Sequence, residues 1–88
     1  MMETIWKEKI SLATEQKIWL PSKHKILCVQ MQLYSICIWF KCDPKSVIEQ
    51  RTFYVYGTGH EYPEIKGQYI GTVQQVNGPL VWHIFIEE

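Results

Sequence analysis

The sequence predicts an all-β fold, a compact antiparallel sandwich or small barrel of about seven short strands, on three observations. Apolar residues recur with period two almost from end to end, the pattern of half-buried strands. Turn residues interrupt that alternation, above all Asp43-Pro44, Gly57 and Asn77-Gly78-Pro79. A chain of 88 residues, 47% of them hydrophobic, has room for one core, which short strands can cover only by facing each other or by closing. Residues 1–88 are therefore read as a single β domain. A chain this short buries roughly 60–65% of its unfolded surface, so self-association is a common way for it to cover more.

Residues 3–10 put Ile5 opposite Trp6. The polar stretch Ala13-Thr14-Glu15-Gln16 leads into Lys17-Ile18-Trp19-Leu20, which Pro21 stops because proline brings no N–H to a ladder. From Lys25 to Leu33 the alternation sets Leu27, Val29, Met31 and Leu33 on one face and Ile26, Cys28, Gln30 and Gln32 on the other. Residues 35–42 carry Ile36, Ile38 and Phe40 on one side and Cys37, Trp39 and Lys41 on the other. A strand apolar on both sides belongs in the middle of a sheet. Only Tyr34 and one neighbour are left for the turn before it, so the two strands read as a hairpin.

Asp43-Pro44-Lys45-Ser46 starts a turn, and residues 11–16 and 44–50 are the only stretches able to hold a helical turn. Gln50 to Tyr56 alternates Arg51, Phe53 and Val55 against Thr52, Tyr54 and Tyr56, and ends at Gly57. Gln68 to Val76 and Leu80 to Ile86 are the last two strands, joined by Asn77-Gly78-Pro79, the best hairpin signal in the chain. Between them and the preceding strand lies Gly57 to Gly67, with three glycines and a proline in eleven residues. This longest irregular connection is the natural place for a site.

Charge and composition exclude several function classes. Nine basic residues balance nine acidic ones, and Arg51 is the sole arginine; gripping a nucleic-acid polymer needs a cationic surplus. No apolar run approaches the roughly 18–20 residues that cross a bilayer, and the start lacks the basic segment and apolar stretch of a signal peptide. The expectation is a cytoplasmic protein with no membrane partner. Cys28, Cys37 and Cys42, an odd number set in apolar stretches, read as reduced core thiols. His24, His60 and His83 are far apart, and Cys37 and Cys42 have no second pair, so neither a metal nor another cofactor is expected. No Ser or Cys stands beside an evident base, so no triad assembles from local signals. The chain is read as a non-enzyme, with His60 acting on a bound phosphodiester as the one catalytic alternative.

Several segments carry a resemblance: Ile5-Trp6-Lys7, Leu20-Pro21, Lys25 to Gln30, Trp39, Asp43-Pro44, Arg51-x-Phe53, Tyr56-Gly57-Thr58-Gly59-His60, Tyr69-Ile70-Gly71-Thr72 and Leu80-Val81-Trp82-His83. Together, over nearly the whole chain, they resemble a family of short, mostly uncharacterised bacteriophage and prophage proteins. Its most distinctive pieces are the Tyr-Gly-Thr-Gly-His loop and the Tyr-Ile-Gly-Thr segment. Trp82 departs mildly, standing where the pattern has a smaller aromatic such as Phe. The resemblance implies a protein without established catalytic residues that acts inside an infected bacterium. Small phage proteins of this size commonly act by binding, some by sequestering a nucleotide-derived signal of host immunity and some by plugging a defence protein.

Within that frame the candidate ligand-binding residues are Arg51, Tyr54, Tyr56, Gly57, Thr58, Gly59, His60 and Tyr69. Gly57 and Gly59 let backbone N–H groups converge on an anion, Thr58 adds a hydroxyl, and His60 donates to a phosphate or stacks on a base. The other reading of the same loop is a turn whose glycines need positive φ. Arg51 suits bidentate recognition of phosphate, or equally a surface pair with Glu49 or Glu61. Tyr54, Tyr56 and Tyr69 suit a stacking platform for bases, or a strand face packed on its neighbour. Trp6, Trp19, Trp39 and Trp82 read as core. The sequence-level expectation is a small nucleotide-like ligand held by a homo-oligomer, since 88 residues give little depth and a second copy supplies a wall. The alternative is a protein–protein interaction module that binds and inhibits a host defence protein.

Overall fold

The computed structural model describes residues 2–88. Its seven strands are β1 (Thr4–Ile10), β2 (Glu15–Pro21), β3 (His24–Gln32), β4 (Ser35–Cys42), β5 (Ile48–Gly57), β6 (Gln68–Gln74) and β7 (Val81–Glu87). They form a small sheet in the order β1-β4-β3 and a large sheet in the order β2-β5-β7-β6, every pairing antiparallel. The shortest dimension of the Cα trace, 15 Å, is that of two stacked layers. The all-β sandwich expected from the alternation is therefore what forms, and β4, apolar on both sides, occupies the middle of its sheet.

Both inner faces fill one core: Ile36, Ile38 and Phe40 from β4 meet Phe53 and Val55 from β5 and Ile84 and Ile86 from β7. Burial of each such side chain contributes about 1.5–3 kcal/mol. Register then fixes the outer face of the large sheet. Because Phe53 pairs with Ile86 and Val55 with Ile84 inside, the intervening pairs Tyr54–Phe85 and Tyr56–His83 must point outward.

Among the described residues there is no helix, in keeping with the all-β expectation; residues 44–50 make a turn and the start of β5 at Ile48. Three local expectations are corrected. The regular alternation from Lys25 to Leu33 breaks at a bulge between Ile26 and Cys28, so Ile26 packs on the core and Leu27 is 47% exposed. Leu33 itself leaves the strand and sits in the β3–β4 turn at φ 56°. Trp6 and Trp19 are exposed, 40% and 60%: Trp6 lies on the edge strand β1, and Trp19 faces outward on β2 between the inward-facing Ile18 and Leu20. The last hairpin keeps a six-residue connection, 75–80, closed by Gln75 N–H donating to Leu80 O at 2.8 Å. There the positive φ falls on Asn77 and not on Gly78. Cys28, Cys37 and Cys42 are free thiols.

Candidate functional site

On the outer face of the large sheet an aromatic row crosses three strands. The rings of Tyr54 and Tyr56 lie parallel along β5 with centroids 6.0 Å apart. Phe85 on β7 meets Tyr56 edge-on at 5.5 Å and, on its other side, Tyr69 of β6 at 5.6 Å. These are the separations at which aromatic pairs attract. Tyr54 and Tyr56 are buried although they point away from the core, and Tyr69 is 55% exposed at the margin.

The cover over the tyrosines comes from the 58–67 connection. Tyr62 packs edge-on against Tyr56 at 4.7 Å, and Lys66 N–H donates to Tyr56 Oη at 3.0 Å. Tyr54 donates its hydroxyl to Glu87 at 3.0 Å. Burial, reinforced by the hydrogen bond to the Glu87 carboxylate, pushes the Tyr54 phenol up to about 12, so it remains a donor throughout the physiological range.

The two loop glycines serve different ends. Gly59 has φ +82° and open space where a Cβ would stand, so backbone conformation selects it. Gly57, expected to need positive φ, does not adopt it; a Cβ there would stand 2.6 Å from His60 Nδ1 and 3.0 Å from Trp82 Cζ3. Close approach, not torsion, selects glycine at that position. The turn itself is closed by His60 N–H donating to Gly57 O at 3.2 Å, and Gly57 N–H donates to Tyr62 Oη at 3.0 Å.

A chain of hydrogen bonds ties this loop to β6 through the outer face of β7. His83 Nε2 lies 2.6 Å from Thr58 Oγ1, His83 Nδ1 lies 3.0 Å from Thr72 Oγ1, and Thr72 Oγ1 lies 2.6 Å from Tyr69 Oη. Both ring nitrogens are thereby engaged, one donating and the other accepting in either neutral tautomer. The imidazole is thus held in one orientation by two partners.

Between loop and sheet lies a recess of about 210 Å³ lined by Tyr56, Gly57, His60, Tyr62, Ile65, His83 and Phe85. A second hollow of about 190 Å³ adjoins it beyond Tyr56 and Tyr62, bordered by Tyr54, Pro63 and Lys66. An apolar cavity of about 150 Å³ holds benzene, so the first recess has the volume of one planar ring. Its walls are mainly aromatic, and with both nitrogens of His83 engaged by Thr58 and Thr72 the His60 imidazole is its free polar ring, a combination that stacks on a ring and hydrogen-bonds its edge. No cluster of three or more His, Cys, Asp or Glu arranged to hold a metal occurs among the described residues.

Seven of the eight sequence candidates gather on this face: Tyr54, Tyr56, Gly57, Thr58, Gly59, His60 and Tyr69. Arg51 does not join them. It lies six residues before Gly57 on β5, roughly 20 Å along an extended strand, and it shares the inner side with Phe53 and Val55. There its Nη2 meets Glu49 Oε2 at 2.8 Å and its Nε meets Glu88 Oε2 at 3.1 Å. Glu88 also reaches His24 Nε2 at 3.2 Å, and His24 Nδ1 lies 2.6 Å from Pro21 O. The guanidinium clasps the strand ends, as the pairing alternative for Arg51 had it with Glu49. Sequence reasoning missed Tyr62, Ile65, Thr72, His83 and Phe85. Tyr62 and Ile65 were within reach as apolar residues of the longest loop; the others depend on cross-strand register.

Residues 1–88 match the model of a family described as a domain of unknown function, DUF7352, and the chain belongs to that family. No curated protein and no solved structure matches it. Membership in an uncharacterised family accords with the resemblance at that coarse level.

Proposed function

We propose that this chain is a non-catalytic binding protein of phage or prophage origin that acts in the cytoplasm of an infected bacterium. It counteracts host defence by sequestering a small nucleotide-derived signal on the outer face of its large sheet. The recess walled by Tyr56, Tyr62 and Phe85 is the observation that carries this reading. A base seated there stacks on aromatic faces, worth about 1–3 kcal/mol by alanine substitution. His60 meets its polar edge, and the open space at Gly59 admits a phosphate beside the loop backbone.

At about 210 Å³ the recess is smaller than the roughly 300–1,000 Å³ of ordinary ligand sites. A second copy of the chain supplies the missing wall in this reading, and the exposed Ile5, Trp6 and Trp19 offer apolar surface for self-association. Light scattering is expected to give a multiple of 10.5 kDa.

A second reading, an interaction module that covers a host defence protein, is favoured by one observation. Ile5 and Trp19, each 60% exposed, lie on the free edge strands β1 and β2, where a partner can add a strand. Native mass spectrometry separates the two, on protein purified from cells whose nucleotide signalling is active. A retained nucleotide supports sequestration; a stable host protein without nucleotide supports the module and overturns sequestration.

A further inference from the structure

Of the four edge strands, β1 sets the fewest obstacles to a further strand. β3 and β6 each carry a bulge and lie against each other, Val29 at Gly71, and β2 ends in Pro21. Bulges and prolines are among the devices that keep an edge from pairing. β1 has neither. Its residues Thr4–Ile10 run in unbroken register with β4, and among the described residues no backbone hydrogen bond outside that ladder reaches them. The far side of β1 is therefore a row of unpaired N–H and C=O groups.

The side chains of β1 say which strand fits there. Ile36, Ile38 and Phe40 of β4 lie in the core, so Ile5, Lys7 and Lys9, which pair with Lys41, Trp39 and Cys37, point outward. Lys25 of β3 stands opposite Lys41 on the same side, which puts four lysines on the outer face of the small sheet in a chain of net charge zero. Glu3 and Asp43 border the same hollow as Lys25 and Lys41. Lys7 and Lys9 are exposed, and among the described residues neither forms a salt bridge; Lys7 donates to the neutral side-chain oxygen of Gln32. On the core side Trp6, paired with Phe40, is still 40% exposed.

We propose that β1 takes up an extended segment of a partner protein in which acidic residues alternate with apolar ones. The segment adds a fourth strand to the small sheet: two acidic side chains, two positions apart, meet Lys7 and Lys9, and an apolar one between them covers Trp6. Opposite charges across neighbouring strands attract and like charges directly opposite repel, so the two lysines select an acidic strand. They also turn away a second copy of β1, which, set antiparallel and centred on Lys7 or Glu8, brings Lys7 against Lys7 or Lys9. The proposal rests on the second reading above and names its edge and the chemistry of its partner; it shares no residue with the nucleotide recess.

The test titrates the full ¹⁵N-labelled chain at neutral pH with an octapeptide alternating glutamate and valine, and with its lysine–valine counterpart. The glutamate peptide is expected to shift the β1 amides saturably at millimolar concentration and to slow their hydrogen exchange, and the lysine peptide not to bind. Lys7→Glu/Lys9→Glu, on exposed side chains that leave the fold intact, is expected to exchange that preference, weakening the glutamate peptide about tenfold or more. Equal binding of the glutamate peptide to parent and double variant overturns the proposal. So does equal binding of a single strand of eight thymidylates, which would make the lysines a site for any polyanion, or β1 amides already protected in a dimer without peptide, which would give the edge to a second copy. Protection at β2 in place of β1 overturns the assignment to β1 and leaves strand addition, and with it the second reading, standing; binding at neither edge overturns both.

Discussion

Replacing Gly71 by alanine puts one methyl group where the two sheets come closest. Gly71 faces inward on β6 opposite Ile84, and an added Cβ would stand 2.9 Å from Val29 Cβ and 3.1 Å from Val29 Cγ2 on β3. Val29 is only 7% exposed, and a β-branched side chain has little χ1 freedom with which to retreat. Overpacking of this kind costs about 1–3 kcal/mol. Against it, Gly71 lacks positive φ, so alanine restricts the unfolded chain and returns about 0.4–1 kcal/mol. The net expectation is a loss of about 0.5–2 kcal/mol, each kcal/mol lowering Tm by about 4–8 °C in a domain of this size. Urea unfolding followed by circular dichroism measures it. In the double variant Val29→Ala/Gly71→Ala the 3.1 Å contact with Cγ2 is relieved while the 2.9 Å contact with Cβ stays, so the two losses should fall short of additivity by about 0.5 kcal/mol. A Gly71→Ala protein as stable as the parent, or strict additivity with Val29→Ala, would refute the inter-sheet contact.

Four further outcomes are expected. Gly57→Ala should displace the exposed His60 imidazole, whose Nδ1 would stand 2.6 Å from the new Cβ; stability falls by about 1 kcal/mol, while affinity for a ring ligand, read by calorimetry, falls about tenfold or more. Gly59→Ala meets nothing within 4 Å, so its cost is backbone strain alone, about 1–2 kcal/mol in thermal melts. Tyr54 stays un-ionised in the fold up to about 12 against a usual 10; the unfolded chain therefore releases its proton first as pH rises, and stability is lost between pH 10 and about 12. Tyr54→Phe should flatten that part of the stability profile measured from pH 9 upward. Arg51→Ala breaks the pairs with Glu49 and Glu88, whose carboxylates are half exposed, and should cost about 1 kcal/mol of stability, less in high salt, with ligand affinity unchanged.

Alternation made the fold legible, because period two survives wherever one face of a strand is buried. Phe53 and Val55 identify the inner side of β5, and the same count puts Tyr54 and Tyr56 outside. That count already separated Arg51 from the tyrosines: an odd-numbered neighbour of Phe53 cannot share their face. The bulge at Leu27 was not legible, since an inserted residue is set by what the partner strand β4 offers at Trp39 and Phe40. The exposure of Trp6 follows from strand order, which no local pattern encodes, whereas the inward Ile18 and Leu20 already put Trp19 outside. His83 and Phe85 join the candidate face only because β7 lies beside β5 in a register that opposes Tyr56 to His83 and Tyr54 to Phe85. The loop glycines were visible as glycines, but the reason for Gly57 lies in the close approach of the His60 ring and of Trp82, the latter twenty-five residues later in the chain.

Binding at the outer face is the central claim, and isothermal titration tests it most directly, with a panel of cyclic di- and trinucleotides and ADP-ribose derivatives against the parent, Phe85→Ala, His60→Ala and Arg51→Ala. The account predicts that a member of the panel binds the parent and that Phe85→Ala weakens it roughly 5- to 150-fold, the worth of one base–aromatic stack. His60→Ala should weaken it too, and Arg51→Ala should leave it unchanged. A panel in which nothing binds, or a ligand whose affinity is the same in Phe85→Ala and His60→Ala as in the parent, would contradict it.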